Sequence, residues 1–152
     1  MTGSAAFSHV CIVSADPLRL AAFYSEVFNC LQVGPVRQLG GVELEDGIGV
    51  KGVRVFGVHL SLPGENVGTL EIFSPGEVVH TRREVSHQGL MHLSFSVDDI
   101  EDSCTRIERL GGHLEGVISE IAVAGVGTAR FVYARDPEGN LVELQEWAGR
   151  EA

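Results

Sequence analysis

The stretch Met91-His92-Leu93-Ser94-Phe95-Ser96-Val97-Asp98 occurs twice in outline, and that repetition narrows the possible folds of this chain more than anything else in it. In an extended strand successive side chains point to opposite faces, so His92, Ser94 and Ser96 share one side and Leu93, Phe95 and Val97 the other. The apolar side suits packing against a helix. The histidine stands on the more polar side, as at a binding site. Ser8-His9-Val10-Cys11-Ile12-Val13 has the same arrangement, with His9 set against Val10 and Ile12. A helix signal follows each copy. After the first, Asp16 is placed to cap and Pro17 to open a helix, and Leu20, Phe23, Tyr24, Val27 and Phe28 recur along it with helical period. After the second, Asp98 or Asp99 caps a helix striped by Ile100, Cys104, Ile107 and Leu110 and ended by Gly111-Gly112.

The plan continues in parallel. In the first half strands are expected at Phe7–Val13, Leu31–Val36, Val53–Leu62 and Gly68–Ser74, with a turn at Pro63-Gly64-Glu65-Asn66. In the second they are expected at Leu114–Ile118, Thr128–Ala134 and Leu141–Trp147, the last entered through the turn Asp136-Pro137-Glu138-Gly139-Asn140. Each half therefore reads β-α-β-β-β, opening on a histidine strand and closing on a glutamate strand. Glu71 shares its face with Thr69 and Phe73, and Glu143 shares its face with Gln145 and Trp147. Sixty-two residues separate His9 from Glu71 and fifty-one separate His92 from Glu143. The surplus falls on Gly40–Gly52, whose five glycines and three acids read as a mobile, turn-rich segment. Residues 1–6 read as a loose leader and Ser74–Gly89 as a linker. The expected organisation is one domain over 1–152, with module one at about 7–75, a linker at 76–88 and module two at about 89–147.

Composition serves mainly to exclude. Eleven basic against twenty-one acidic residues leave a net charge of −10, which argues against nucleic acid or an anionic membrane as the main partner. No apolar run approaches the roughly 20 residues of a membrane span, and the first residues lack a basic-then-apolar secretory pattern. Cys11, Cys30 and Cys104 form no close pair, which fits a reducing cytoplasm better than a disulfide framework. Cys30 and Cys104 read as apolar fillers. Cys11 shares the His9 face.

Taken singly, each candidate has a plainer reading: a strand histidine as a structural hydrogen-bond partner, an outward glutamate as a solvated charge. Taken together, His9, Glu71, His92 and Glu143 occupy matching places on the non-helix faces of a duplicated unit. Two imidazoles and two carboxylates form a four-ligand set for a divalent Ni, Co, Zn, Mn or Fe ion. On an octahedral ion they leave two adjacent positions for water or a chelating substrate, an arrangement that serves Lewis-acid chemistry on a carbonyl. His59, Glu43 and Glu45 are further proton-transfer candidates, each with a structural or solvated reading beside it. His80, His87 and His113 read as surface. Trp147 and Phe73 wall the pocket or cap the core.

These stretches resemble the vicinal oxygen chelate superfamily, which includes glyoxalase I, methylmalonyl-CoA epimerase, extradiol dioxygenases and fosfomycin or bleomycin resistance proteins. The resemblance covers nearly the whole chain. It is carried by Phe7-Ser8-His9-Val10 with Phe23-Tyr24, by Leu70-Glu71-Ile72-Phe73-Ser74-Pro75, by Gly89–Ile100, and by Asp136–Leu144. It implies an α+β fold in which two βαβββ modules form a curved, cup-like mixed sheet, with helices on the outer face and the metal inside. A complete His/Glu/His/Glu set resembles bacterial glyoxalase I and methylmalonyl-CoA epimerase. It implies a metal-dependent lyase or isomerase that moves a proton next to a chelated carbonyl or thioester through an enolate, with Glu143 or Glu71 as base. The alternative is a non-catalytic small-molecule binding or resistance module. A third reading, an extradiol-type dioxygenase, requires that Glu71 not be a ligand. Epimerases of this kind carry an acid just before a Gly-Val; here Lys51 precedes Gly52-Val53. Arg37, Arg54 and Arg130 are candidates for anchoring glutathione by charge alone. The resemblance also implies a homodimer.

Overall fold

The structure, a computed structural model, describes residues 4–64 and 67–148. The expected leader and the turn Pro63-Gly64-Glu65-Asn66 therefore fall in part outside the described residues. The chain divides into two compact units, Met1–Val79 and His80–Ala152, each built around one five-stranded mixed sheet.

The first unit runs β1 (His9–Val13), α1 (Pro17–Phe28), β2 (Leu31–Gln32), β3 (Arg37–Gly40), α2 (Val42–Ile48), β4 (Arg54–Ser61) and β5 (Thr69–Ser74). Its sheet has the order β1-β5-β4-β2, with β3 also paired to β4. The β1–β5 ladder is parallel and the others are antiparallel. Strict alternation on β5 buries Leu70, Ile72 and Ser74 and leaves Thr69, Glu71 and Phe73 half-exposed. The buried row joins Val58 and Leu60 of β4 against Leu20, Tyr24 and Val27 of α1. Fully burying an aliphatic side chain of this size contributes about 1.5–3 kcal/mol, so this face holds the helix on the sheet. The sequence signals for α1 hold: Asp16 accepts a hydrogen bond from the Arg19 N–H at 3.1 Å, and Asn29 at φ 57° closes the helix.

The second unit runs β6 (His92–Ser96), α3 (Ile100–Arg109), β7 (His113–Leu114), β8 (Ser119–Val123), β9 (Gly127–Arg135) and β10 (Leu141–Trp147). The order is β6-β10-β9-β7, with β8 also on β9, and β6 parallel to β10. Phe95, Val132, Ala134, Val142 and Leu144 back the helix through Ile100 and Ile107. Asp99, rather than Asp98, caps α3 by accepting from the Asp102 N–H at 2.8 Å. Glu146 of β10 accepts from the Ile100 N–H at 2.9 Å, so strand and helix share one cap. The two units are thus repeats of one α+β module, as the sequence predicts.

Three details differ from the expectation. Gly40–Gly52 is not simply turn-rich, because it contains α2. Gly41 at φ 109° and Gly49 at φ 80° bracket the helix, and Glu43 and Glu45 lie in its first turn, where carboxylates favour the positive end. None of its side chains is buried, so no apolar period announced it. Of the strand expected at Leu31–Val36 only β2 forms; the chain breaks off at Gly34-Pro35, where φ is +73° at the glycine and proline has no N–H to pair, and pairs with β4 again as β3 from Arg37. The strand expected at Leu114–Ile118 falls almost wholly between two others on β9, since β7 ends at Leu114 and β8 begins at Ser119. Among the described residues no helix is long and apolar enough to cross a membrane.

Candidate functional site

The face of the first sheet opposite α1 carries the first pair of candidates. In the ladders Cys11 lies opposite Glu71, and Glu71 opposite His59, so β1, β5 and β4 set these three residues in one row. His9 stands one pleat away on the same face of β1. Its Nε2 lies 3.3 Å from Glu71 Oε2, and its Nδ1 lies 3.1 Å from Ser8 Oγ. His59 brings its Nε2 against the other oxygen, Oε1, and stacks edge-on against Phe73 with ring centres 5.2 Å apart. Arg37 Nη1 lies 3.3 Å from the same His59 nitrogen. Glu71 thus meets an imidazole at each oxygen. Beside it, burial and then the Glu71 charge push the Cys11 thiol up, so its thiolate is disfavoured.

The second sheet repeats the row. Ser94 lies opposite Glu143, and Glu143 opposite Tyr133. His92 takes the place of His9, with its Nε2 3.4 Å from Glu143 Oε2 and its ring edge-on to Tyr133 at 5.2 Å. Here the carboxylate is held by neutral donors: Ser94 Oγ donates to Oε2 at 2.8 Å and Gln145 Nε2 donates to it at 2.9 Å. Trp147 Nε1 donates to Gln145 Oε1 at 2.9 Å. Glu143 is buried at 9 % exposure, and these hydrogen bonds offset the cost of burying a polar group. Burial, and then the nearby Glu143, push the Tyr133 hydroxyl up, so it stays protonated.

The four ligand candidates therefore meet in pairs, His9 with Glu71 and His92 with Glu143. His59, read as structural or solvated beside a proton-transfer role, is not solvated. It is buried and faces Glu71 directly, a role its position in β4 hid because only the β4–β5 register reveals it. Phe73 and Trp147 lie on the Glu71 and Glu143 faces and pack against or bond site residues. Of the arginines, Arg130 is occupied elsewhere: it binds Glu101 and, at 2.9 Å, Glu146 beside the α3 cap. Those contacts hold the Glu101 carboxyl below its usual range. Arg54 lines a cavity of about 910 Å³ with Gln38, Phe56, Pro17 and Ser74. Cys30 and Cys104 are buried fillers, and burial pushes both thiols up to about 11. His80, His87 and His113 are exposed.

No group of three or more His, Cys, Asp and Glu side chains among the described residues is arranged to hold a metal ion. The donor chemistry of each pair nevertheless fits one. An imidazole Nε2 and a carboxylate oxygen converge to 3.3 and 3.4 Å on the sheet face turned away from the helix. Ser8 contacts the far nitrogen of His9, the kind of outer partner that orients a ligand histidine. The far nitrogens of His59 and His92 are buried and have no hydrogen-bond partner among the described residues.

Comparison with known proteins agrees with the repeat. The family model for the glyoxalase/bleomycin resistance protein/dioxygenase superfamily matches residues 6–144. The chain belongs to that superfamily. A glyoxalase family protein from Bacillus cereus has a similar structure, with TM-score 0.75 at 21 % identity over 95 % of this chain and 94 % of its own. One from Enterococcus faecalis gives 0.57 at 24 %, covering 92 % and 96 %. A mutant of the fosfomycin resistance protein FosX from Listeria monocytogenes gives 0.58 at 17 %, covering 94 % and 93 %; it was solved with Mn(II) and 1S,2S-dihydroxypropylphosphonic acid. No curated protein matches.

Proposed function

We propose that the protein is a metal-dependent lyase or isomerase of the glyoxalase I or methylmalonyl-CoA epimerase type, acting on a small carbonyl or thioester compound. The observation that supports this most is the matched imidazole–carboxylate pair in each module, on corresponding strands and at nearly equal separation. His9, Glu71, His92 and Glu143 would hold one divalent ion, which when bound supplies a Lewis acid for a carbonyl oxygen. The chain's own residues do the rest. A carboxylate, Glu71 or Glu143, takes the proton from the carbon next to the carbonyl. The C–H electron pair moves toward oxygen to leave an enolate, and the proton returns to the same or the neighbouring carbon. Phe73, Tyr133 and Trp147 supply apolar surface beside these groups, which limits water and strengthens the electrostatics.

The same proposal places the protein in the cytoplasm as a homodimer. The cysteines are all unpaired. Within their own sheets β1 and β6 are edge strands, whose open backbone groups call for cover. Metal analysis of protein purified without chelator tests the metal. Incubating the loaded protein in deuterated water with a panel of ketones, thiohemiacetals and acyl-CoA thioesters tests the chemistry. About one metal per chain and deuterium next to the carbonyl are expected. Bound metal without exchange in any compound sets catalysis aside and leaves a binding module. A monomer by sedimentation at micromolar concentration removes the dimer alone.

A further inference from the structure

We propose that Trp147 and Gln145 form a positioning arm that fixes the Glu143 carboxylate beside His92 for the metal, and that metal binding is therefore visible in the emission of Trp147. This inference rests on the metal reading above.

β10 places Glu143, Gln145 and Trp147 on one face at alternate positions. An indole nitrogen can only donate, so the 2.9 Å contact from Trp147 requires the carbonyl oxygen of Gln145 at that end. The amide nitrogen must then point the other way, where it donates to Glu143 Oε2 at 2.9 Å. The indole thereby assigns the orientation of an otherwise ambiguous amide. Ser94 Oγ donates to the same Oε2 at 2.8 Å from the neighbouring strand. Two donors on one oxygen, from two directions, fix the rotation of the carboxylate. His92 Nε2 lies 3.4 Å from the same oxygen, so the carboxylate is fixed against the imidazole with which it would hold the ion. Glu71 differs, since imidazoles meet both of its oxygens and, among the described residues, no hydroxyl or amide does. The second module is the one whose carboxylate is oriented by neutral donors.

Trp147 is the single tryptophan of the chain. Two hydrogen bonds join its ring to the carboxylate, so a quenching ion such as Co(II) at Glu143 acts on that emission alone.

The test is titration of the metal-free full-length protein with Co(II), read by competition with a chromophoric chelator, by the visible Co(II) spectrum and by tryptophan emission. In the wild type, emission falls with the same midpoint as the chelator competition. Gln145→Leu and Ser94→Ala each weaken Co(II) binding by about 10–100-fold, the usual effect of losing an outer hydrogen-bond partner, and change the Co(II) spectrum. Ser94→Thr, which keeps the hydroxyl, stays near wild type. Trp147→Phe keeps an aromatic ring without the N–H and reproduces the loss by chelator and spectrum, covering the case in which Gln145→Leu does not fold. Wild-type affinity and an unchanged spectrum in Gln145→Leu and Trp147→Phe overturn the arm while the metal reading stands. Emission that ignores bound Co(II) overturns the reporter. If the wild type takes up no Co(II), the metal reading fails and the arm with it.

Discussion

His59 stands directly opposite Glu71 in the antiparallel ladder between β4 and β5, with its Nε2 against Glu71 Oε1, while His9 approaches the second oxygen at 3.3 Å. The first module therefore holds its carboxylate between two imidazoles. His59→Phe keeps a ring against Phe73 and removes the nitrogen. We predict about 10–100-fold weaker metal binding with little change in the far-ultraviolet circular dichroism. Wild-type affinity in calorimetric titration would show that His59 only packs.

The histidines themselves come next. His92→Ala and His9→Ala each remove a proposed ligand, a larger loss than an outer partner's roughly 10–100-fold. Protein prepared in parallel and assayed by plasma mass spectrometry should retain little metal in either variant. Full metal content in both ends the metal proposal.

The carboxylates separate binding from chemistry. A positioned general base typically contributes about 10²–10⁴-fold. Whichever of Glu143→Gln and Glu71→Gln removes the base should lower deuterium exchange by at least that order while retaining part of the metal, since an amide oxygen can still coordinate. The other variant should lose metal and exchange together. Exchange that persists in both moves the base to His59, Glu43 or Glu45.

Stability should fall at alkaline pH. Burial raises the Cys30 and Cys104 thiols from near 9 to about 11 in the folded chain. Below pH 9 both states hold the proton and the contribution is intact. Between pH 9 and 11 the unfolded chain loses it first, so each thiol lowers stability by roughly 1.4 kcal/mol per pH unit. Urea midpoints at pH 7.5, 9 and 10 measure this. Cys30→Ala should flatten the decline, and an unchanged slope in that variant rejects the assignment.

Gly57 tests the sheet beneath the site. A β-carbon there would run into the Ile72 carbonyl and Phe73 on the facing strand. Gly57→Ala should cost about 1–3 kcal/mol, as overpacking does, and should lower the thermal midpoint. A melting curve that matches wild type shows that the strands can part at this point.

Much of this protein is legible in its amino-acid sequence. The alternation around His9, Glu71, His92 and Glu143 chooses a face for each, and the cap-and-stripe signals locate α1 and α3, because both are local properties of the chain. α2 escapes because it buries no side chain, so its boundaries rest on two glycine conformations that leave no hydrophobic period. His59 escapes for another reason. Its alternation is visible, but opposing it to Glu71 takes the β4–β5 register, which brings together residues twelve apart through the intervening turn. The contrast between the carboxylates is likewise tertiary. Ser94 reaches Glu143 only because β6 and β10, far apart in the chain, pair in parallel. Local pattern decides which way a side chain points. What it meets is decided by strand register, a balance of long-range burial and pairing that no single segment contains.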